Sequence, residues 1–211
     1  KPFMFLAPSY WHLEEFQAKF PNTVYLPPPT DSRAFKSARE QNFGYTSTNF
    51  LHIVGKRAHR DRNGTDSLLK ALEYTSSQFT LTIKAQNASD VEDLMNNHHD
   101  VRISWNFDNP TDESELYRGF DALILPRKYA GLCLPMNEAL MSGLPVIMTD
   151  IDPNNRILPK KWLVKAQSDG NFMARTLIEV YEASPQALAK KIDWLCETNL
   201  DIEKAEALGT G

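Results

Sequence analysis

Residues 129–147 read YAGLCLPMNEALMSGLPVI. The apolar run Ala122–Leu125 precedes this stretch, and Val146–Met148 closes it. Between them Gly131 allows a sharp departure from the first run. Pro135 suits the first turn of a helix, where its missing N–H leaves no bond unmade. Gly143 stops that helix. The order is therefore strand, turn, helix over Pro135–Met141, strand. The first turn of such a helix has unsatisfied N–H groups and a partial positive charge. Small residues before it let the backbone approach an anion closely, which makes the turn a phosphate site. Glu138 is expected within the first turn. It either accepts hydrogen bonds from the vicinal hydroxyls of a ribose or only complements the helix dipole, a term of ~0.3–1 kcal/mol. The residues alone leave both readings open.

Working outward, the same alternation repeats. Apolar runs at Phe50–Val54, Phe79–Ile83, Val101–Ser104 and Trp162–Val164 read as further strands. Asp66–Thr75, Ser89–Asn97 and a capping-box segment from Thr111 to Gly119 read as helices between them. Phe172–Glu182 and Gln186–Glu197 read as amphipathic helices. Strands that alternate with helices at this spacing pair in parallel through right-handed crossovers. The expected fold is α/β, a doubly wound, Rossmann-like parallel sheet with helices on both faces. Ligands then bind at the carboxyl ends of the strands, so the loops after Val54, Ile83, Ser104, Leu125 and Met148 line one rim. Upstream, Phe3–Ala7 and Val24–Leu26 read as short strands flanking a helix at Tyr10–Phe20. Pro27-Pro28-Pro29 opens a loop-like stretch to residue 48. This divides the chain into residues 1–30, a remnant and hinge, and residues 31–211, the ligand-binding domain.

With 211 residues and a net charge of −4, the chain lacks the basic footprint of a general nucleic-acid binder. No apolar run approaches the ~20 residues that span a bilayer. Two cysteines, Cys133 and Cys196, without metal spacing suggest a reducing compartment and a cytoplasmic location. The chain begins at Lys1 without a methionine, and further residues upstream are expected.

The loop VGKRAHRDRNGTD, residues 54–66, carries Lys56, Arg57, Arg60 and Arg62 just past a strand end. Arg127 and Lys128 add charge on the loop after Leu125. Some of these cations are solvated surface. A departing diphosphate nevertheless needs its growing charge neutralised, and Lys and Arg are the available source. In VRISWNF, residues 101–107, Trp105 or Phe107 could wall a flat nucleobase, or both could belong to the core.

Together these segments resemble the C-terminal, donor-binding half of retaining GT-B glycosyltransferases of the glycosyl transferases group 1 family, over about residues 50–165. FLHIVGKRAHRDRNGTDSLLKAL is similar to the family's strand, basic residue and helix opening. VRISWNF is similar to its base-contacting turn, and ELYRGFDALILP to its helix and Pro-ended strand. AGLCLPMNEALMSGLPVIMTD resembles its most specific signature, with Glu138 at the position of the ribose-binding glutamate. The resemblance implies transfer from a nucleotide-diphosphate sugar with retention, hexosyltransferase-like, metal-independent and without a cofactor. Lys56 and Glu138 would be catalytic. Arg57, Arg62, Asn106, Phe107, Arg127, Ala130, Gly131, Leu132, Cys133 and Glu138 would bind substrate. The chain departs from the family at Ala130, where a glutamate is usual, at Asn63, where a lysine is usual, and at Leu132-Cys133 in place of Phe-Gly. The stretch APSYWHLEEFQAKFPNTVYLPPPTD resembles the end of the family's N-terminal domain, so most of an acceptor-binding domain would be missing and the isolated chain inactive. The competing reading is a non-catalytic nucleotide-sugar-binding or assembly module with a degenerate site.

Overall fold

The computed structural model describes residues 3–43, 48–55, 57, 61–129, 131–174 and 176–210. In chain order the elements are β1 (Phe5–Ala7), α1 (Leu13–Lys19), β2 (Thr23–Tyr25), α2 (Lys36–Asn42), β3 (Asn49–Ile53), α3 (Thr65–Ala71), β4 (Thr80–Lys84), α4 (Glu92–Asn97), β5 (Ile103–Asn106), β6 (Ala122–Leu125), α5 (Leu134–Met141), β7 (Val146–Thr149), α6 (Asn154–Ile157), β8 (Leu163–Val164), β9 (Ala166–Met173), β10 (Leu177–Ala183), α7 (Pro185–Glu197) and α8 (Leu200–Thr210).

Six strands form the central sheet in the order β5-β4-β3-β6-β7-β8. Every neighbouring pair is parallel. This is the expected doubly wound, Rossmann-like architecture. β6 and β7 are buried at every residue, as apolar strands covered on both faces must be. The strand order reverses direction between β3 and β6, so the crevice where a doubly wound sheet receives ligands lies at the carboxyl ends of these two strands. The loops after β3 and β6 are the two that carry the basic residues.

Outside the central sheet, β1 and β2 pair in parallel as a separate two-stranded unit with α1. The Arg156 guanidinium reaches back to Glu14 of α1 at 2.7 Å. Three expectations fail here. The stretch from residue 27 to 48 is not all loop. It contains α2, whose Asn42 side chain donates to the carbonyls of Tyr117 and Ser142 and accepts from Gly119 N–H. Phe172–Glu182 is not a helix. It belongs to an antiparallel hairpin, with Ile178 paired to Phe172 and Tyr181 to Ser168. Along β10, Ile178 and Val180 are buried while Leu177 and Glu179 are exposed. That is a period of two, the period of a strand. The capping box also resolves differently. Asp112, not Thr111, accepts from Ser114 N–H at 2.9 Å, and the turn that follows, Glu113–Tyr117, is 3-10 rather than α.

Candidate functional site

The loops after β3 and β6 are joined by their backbones. Lys128 N–H donates to the Arg62 carbonyl at 2.9 Å. Gly64 sits at φ 75°, and a Cβ there would lie 2.2 Å from the Pro126 carbonyl oxygen, so only glycine allows this approach. Asp61 follows with a φ of 45° and accepts from the N–H groups of Thr65 and Asp66, both at 2.9 Å. Its carboxylate thus caps the first turn of α3. Asn63 turns back and donates to the carbonyls of Ile53 at 2.9 Å and Val54 at 3.2 Å. The residue standing at the family's lysine position is therefore a staple that holds the loop against the end of β3.

A cleft of about 360 Å³ opens between the two loops, lined by Gly55, Arg62, Asn63, Arg127, Leu132 and Cys133 among others. Arg127 is 4% exposed. Its Nη1 donates to the Leu132 carbonyl at 3.2 Å, and among the described residues its buried Nε has no acceptor. No carboxylate among the described residues lies at ion-pair distance from it. Arg62 packs beside it, its guanidinium over the Tyr129 ring at 5.0 Å. Burial, and then the neighbouring positive charge of Arg127, draw the Arg62 pKa below its usual value. Gly131 has φ 119°, and a Cβ on it would stand 2.7 Å from Arg62 Nη2, so the glycine is what lets the guanidinium cross the loop.

The helix behind the cleft begins at Leu134, with Pro135 in its first turn. Cys133 C=O takes the N–H groups of Met136 and Asn137. Among the described residues no acceptor is paired with the N–H groups of Leu132, Cys133 and Leu134. Two adjacent guanidiniums, one deeply buried, and a turn whose amides have no acceptor among the described residues together ask for an anion with several oxygens.

Glu138 lies beyond the first turn of α5, which carries no acidic residue. It is half-buried, and its Oε2 accepts from Tyr117 O–H at 2.5 Å. Burial raises its pKa, the Tyr117 hydrogen bond opposes that rise, and Glu113 adds to it. The dipole reading is weakened, because a charge one turn in is past the helix end where that term acts.

The structure gathers Arg62, Arg127, Gly131, Leu132 and Cys133 at the cleft, with Glu138 on the helix leading away from it. Lys56 and Ala130 lie outside the described residues. Arg57 is held elsewhere, by Asp93 at 2.7 Å and Asp66 at 3.3 Å. Asn106 ends β5 and accepts from Asp108 N–H at 2.9 Å, beside a second cavity. Phe107 and Trp105 pack against the core. Sequence reading missed Tyr117, Tyr129 and the staple role of Asn63. Only Tyr117 had a signal, as an aromatic on the turn leading into a buried strand.

Among the described residues no helix is long and apolar enough to cross a membrane. Residues 48–198 match the family model described as glycosyl transferases group 1. No curated protein sequence matches the chain. Among solved structures it is similar to WaaG, a glycosyltransferase involved in lipopolysaccharide biosynthesis (TM-score 0.64, 19% identity, 96% of this chain and 56% of that one). It is also similar to sucrose-phosphate synthase from Thermosynechococcus elongatus (TM-score 0.66, 17% identity, 97% and 53%). A third is the pneumococcal O-GlcNAc transferase GtfA, solved with UDP and GlcNAc (TM-score 0.59, 17% identity, 98% and 41%). The chain thus spans roughly half the length of these proteins.

Proposed function

The chain belongs to the glycosyl transferases group 1, and from that premise we propose that it binds a nucleotide-diphosphate sugar and serves as the donor half of a sugar transferase. The observation that carries this reading is the buried Arg127 beside Arg62 at the switch point of the sheet. A guanidinium 4% exposed with no carboxylate partner among the described residues is costly unless an anion completes it. A diphosphate supplies that anion. When the bond from the anomeric carbon to the diphosphate breaks, the electron pair stays on the diphosphate oxygen. Arg62, Arg127 and the amides before Leu134 then take up the developing charge. Glu138, held by Tyr117, is left with Oε1 for the ribose hydroxyls. Retention at the anomeric carbon, transfer of a hexose and independence of a metal belong to the same proposal, as does an acceptor site completed by residues outside this chain.

Support for the class of donor comes from the transferase GtfA, whose structure holds UDP. A second reading, a binding module without turnover, is favoured by Asn63, whose amide is committed to the β3 carbonyls and offers no cation.

Calorimetric titration with inorganic pyrophosphate tests the anion site directly. Arg127→Leu and Arg62→Ala are each expected to weaken binding by about 1.5–3 kcal/mol, the worth of a charge-assisted bond. Wild-type affinity in both variants ends the proposal. Melting curves with UDP-, GDP- and ADP-sugars identify the donor, since a ligand at 100 times its Kd stabilises by about 2.7 kcal/mol. Glu138→Ala is expected to lose about 1–3 kcal/mol of nucleoside diphosphate affinity and none of the pyrophosphate affinity, because its partner is the ribose. Equal losses for both ligands would remove Glu138 from the ribose role.

A further inference from the structure

The hairpin β9–β10 is not needed to complete the central sheet, yet it reaches the loop after β6, which holds Arg127. Tyr181 N–H of β10 donates to the Lys128 carbonyl at 2.7 Å. Glu182 lies 3.3 Å from Lys128 Nζ and accepts from Ser67 O–H of α3 at 2.7 Å, so it ties the loop after β6 to the helix after β3. Between these contacts and the cleft lies an aromatic relay. Phe172 of β9 meets Tyr129 edge to face, ring centroids 5.4 Å apart, and the Arg62 guanidinium lies over the Tyr129 ring at 5.0 Å.

We propose that Phe172 is a positioning residue for Arg62, acting through Tyr129, and that the hairpin is a strut that presets the cation for its anion. This rests on the reading of Arg62 as a diphosphate ligand. An arginine side chain has several rotatable bonds, and holding one beside a like charge opposes both entropy and Coulomb repulsion. Arg127 supplies that repulsion and Gly131 supplies the open path, and a ring beside the guanidinium gives it a fixed counter-surface. The Tyr129 ring is that surface, because its face attracts the cation. The ring itself is held by an edge-to-face contact with Phe172, the arrangement that aromatic quadrupoles favour. Tyr181 adds a backbone tie and Glu182 a side-chain tie that anchor the same loop to the hairpin. Preorganisation of this kind raises affinity by removing an ordering cost, not by adding a contact. Phe172 therefore improves anion binding without touching the anion.

The test is a double-mutant cycle read by pyrophosphate calorimetry on the full chain. Phe172→Leu is expected to weaken pyrophosphate binding about tenfold, while Phe172→Tyr, which keeps the ring, restores it to within twofold. In an Arg62→Ala background, Phe172→Leu is expected to have no further effect. Wild-type affinity in Phe172→Leu overturns the proposal. So does a tenfold loss that persists in the Arg62→Ala background, since the hairpin would then act by another route. If Arg62→Ala alone binds pyrophosphate as wild type, the reading of Arg62 as a diphosphate ligand fails and the strut fails with it. If Arg62→Ala weakens binding and Phe172→Leu does not, only the strut fails. Phe172 is part-exposed on a surface hairpin, so each variant is expected to keep the fold, which its melting curve checks.

Discussion

Lys204→Met will cost about 3–5 kcal/mol of folding stability, the usual result of breaking a buried ion pair from one side. Lys204 Nζ stands 2.6 Å from Asp121 Oδ1, and each residue is 1% exposed. The ammonium also donates to the Asn42 carbonyl, and the second carboxylate oxygen accepts from Asn49 N–H at 2.8 Å. One lysine on α8 thus joins α2, the start of β3 and the start of β6. Methionine keeps the length of the apolar stem and removes the charge, which leaves the Asp121 carboxylate buried beside a single amide. The double variant Lys204→Met with Asp121→Asn should recover most of the loss, because no bare charge then remains. Denaturant midpoints at constant m-value measure both. A single variant within 1 kcal/mol of wild type would show that the pair is not desolvated. The effect reaches the site as well. α8 packs on α5, the helix of Glu138, and Leu208 lies beside Gly143 where α5 ends. Loosening α8 should therefore weaken ribose recognition together with stability.

The strand and helix alternation was legible because β6 and β7 are short, almost wholly apolar runs between turn residues, and β3, β4 and β5 are short runs with apolar residues among polar ones. The carboxyl-end rim followed from it. The anion site was legible in part. Gly131, Pro135 and Glu138 announce a helix entrance, and basic residues cluster on two loops, but sequence does not say which cations turn inward. Arg57 and Arg62 stand five positions apart with the same chemistry, yet one is held by Asp93 and Asp66 and the other crosses Gly131 into the cleft. That choice depends on contacts between residues 36 and 69 positions apart. The hairpin was misread for a related reason. Its apolar residues are interrupted by polar ones, and a short mixed run fits a helical face as readily as a strand. What settles it is pairing across the turn together with the non-local packing of Phe172 on Tyr129. Lys204 was invisible on the same ground, since a lysine in an amphipathic helix ordinarily faces water.

Between pH 6.5 and 4 the protein should lose about 3 kcal/mol of stability through His52 alone. His52 is fully buried on β3, and burial holds its pKa down at about 4 from the usual 6.5, against a smaller opposing effect of the Ile124 carbonyl. Its Nδ1 is 2.7 Å from that carbonyl and donates to it. Its Nε2, at 2.9 Å from Thr65 Oγ1, then accepts from the hydroxyl. In this window the unfolded chain carries a proton on His52 that the folded chain excludes, so stability rises with pH, and it is lost as pH falls from 6.5 through 4. Other groups titrate nearby. Asp100, held below the carboxylate range first by its hydrogen bonds to Arg102, loses stability on acidification too, whereas Glu138, raised by burial, gains it. The difference between wild type and His52→Gln isolates the imidazole, since glutamine offers a donor and an acceptor without a charge. Wild type should fall more steeply than His52→Gln across the window, and parallel curves would refute the assignment. The same step carries into function. Thr65 is the first residue of α3, next to the Asp61 cap and the Arg62 loop, so protonating His52 disturbs the helix that anchors one side of the cleft. Pyrophosphate affinity should therefore decline with acidification more steeply in wild type than in His52→Gln, even though, among the described residues, no histidine lines the cleft.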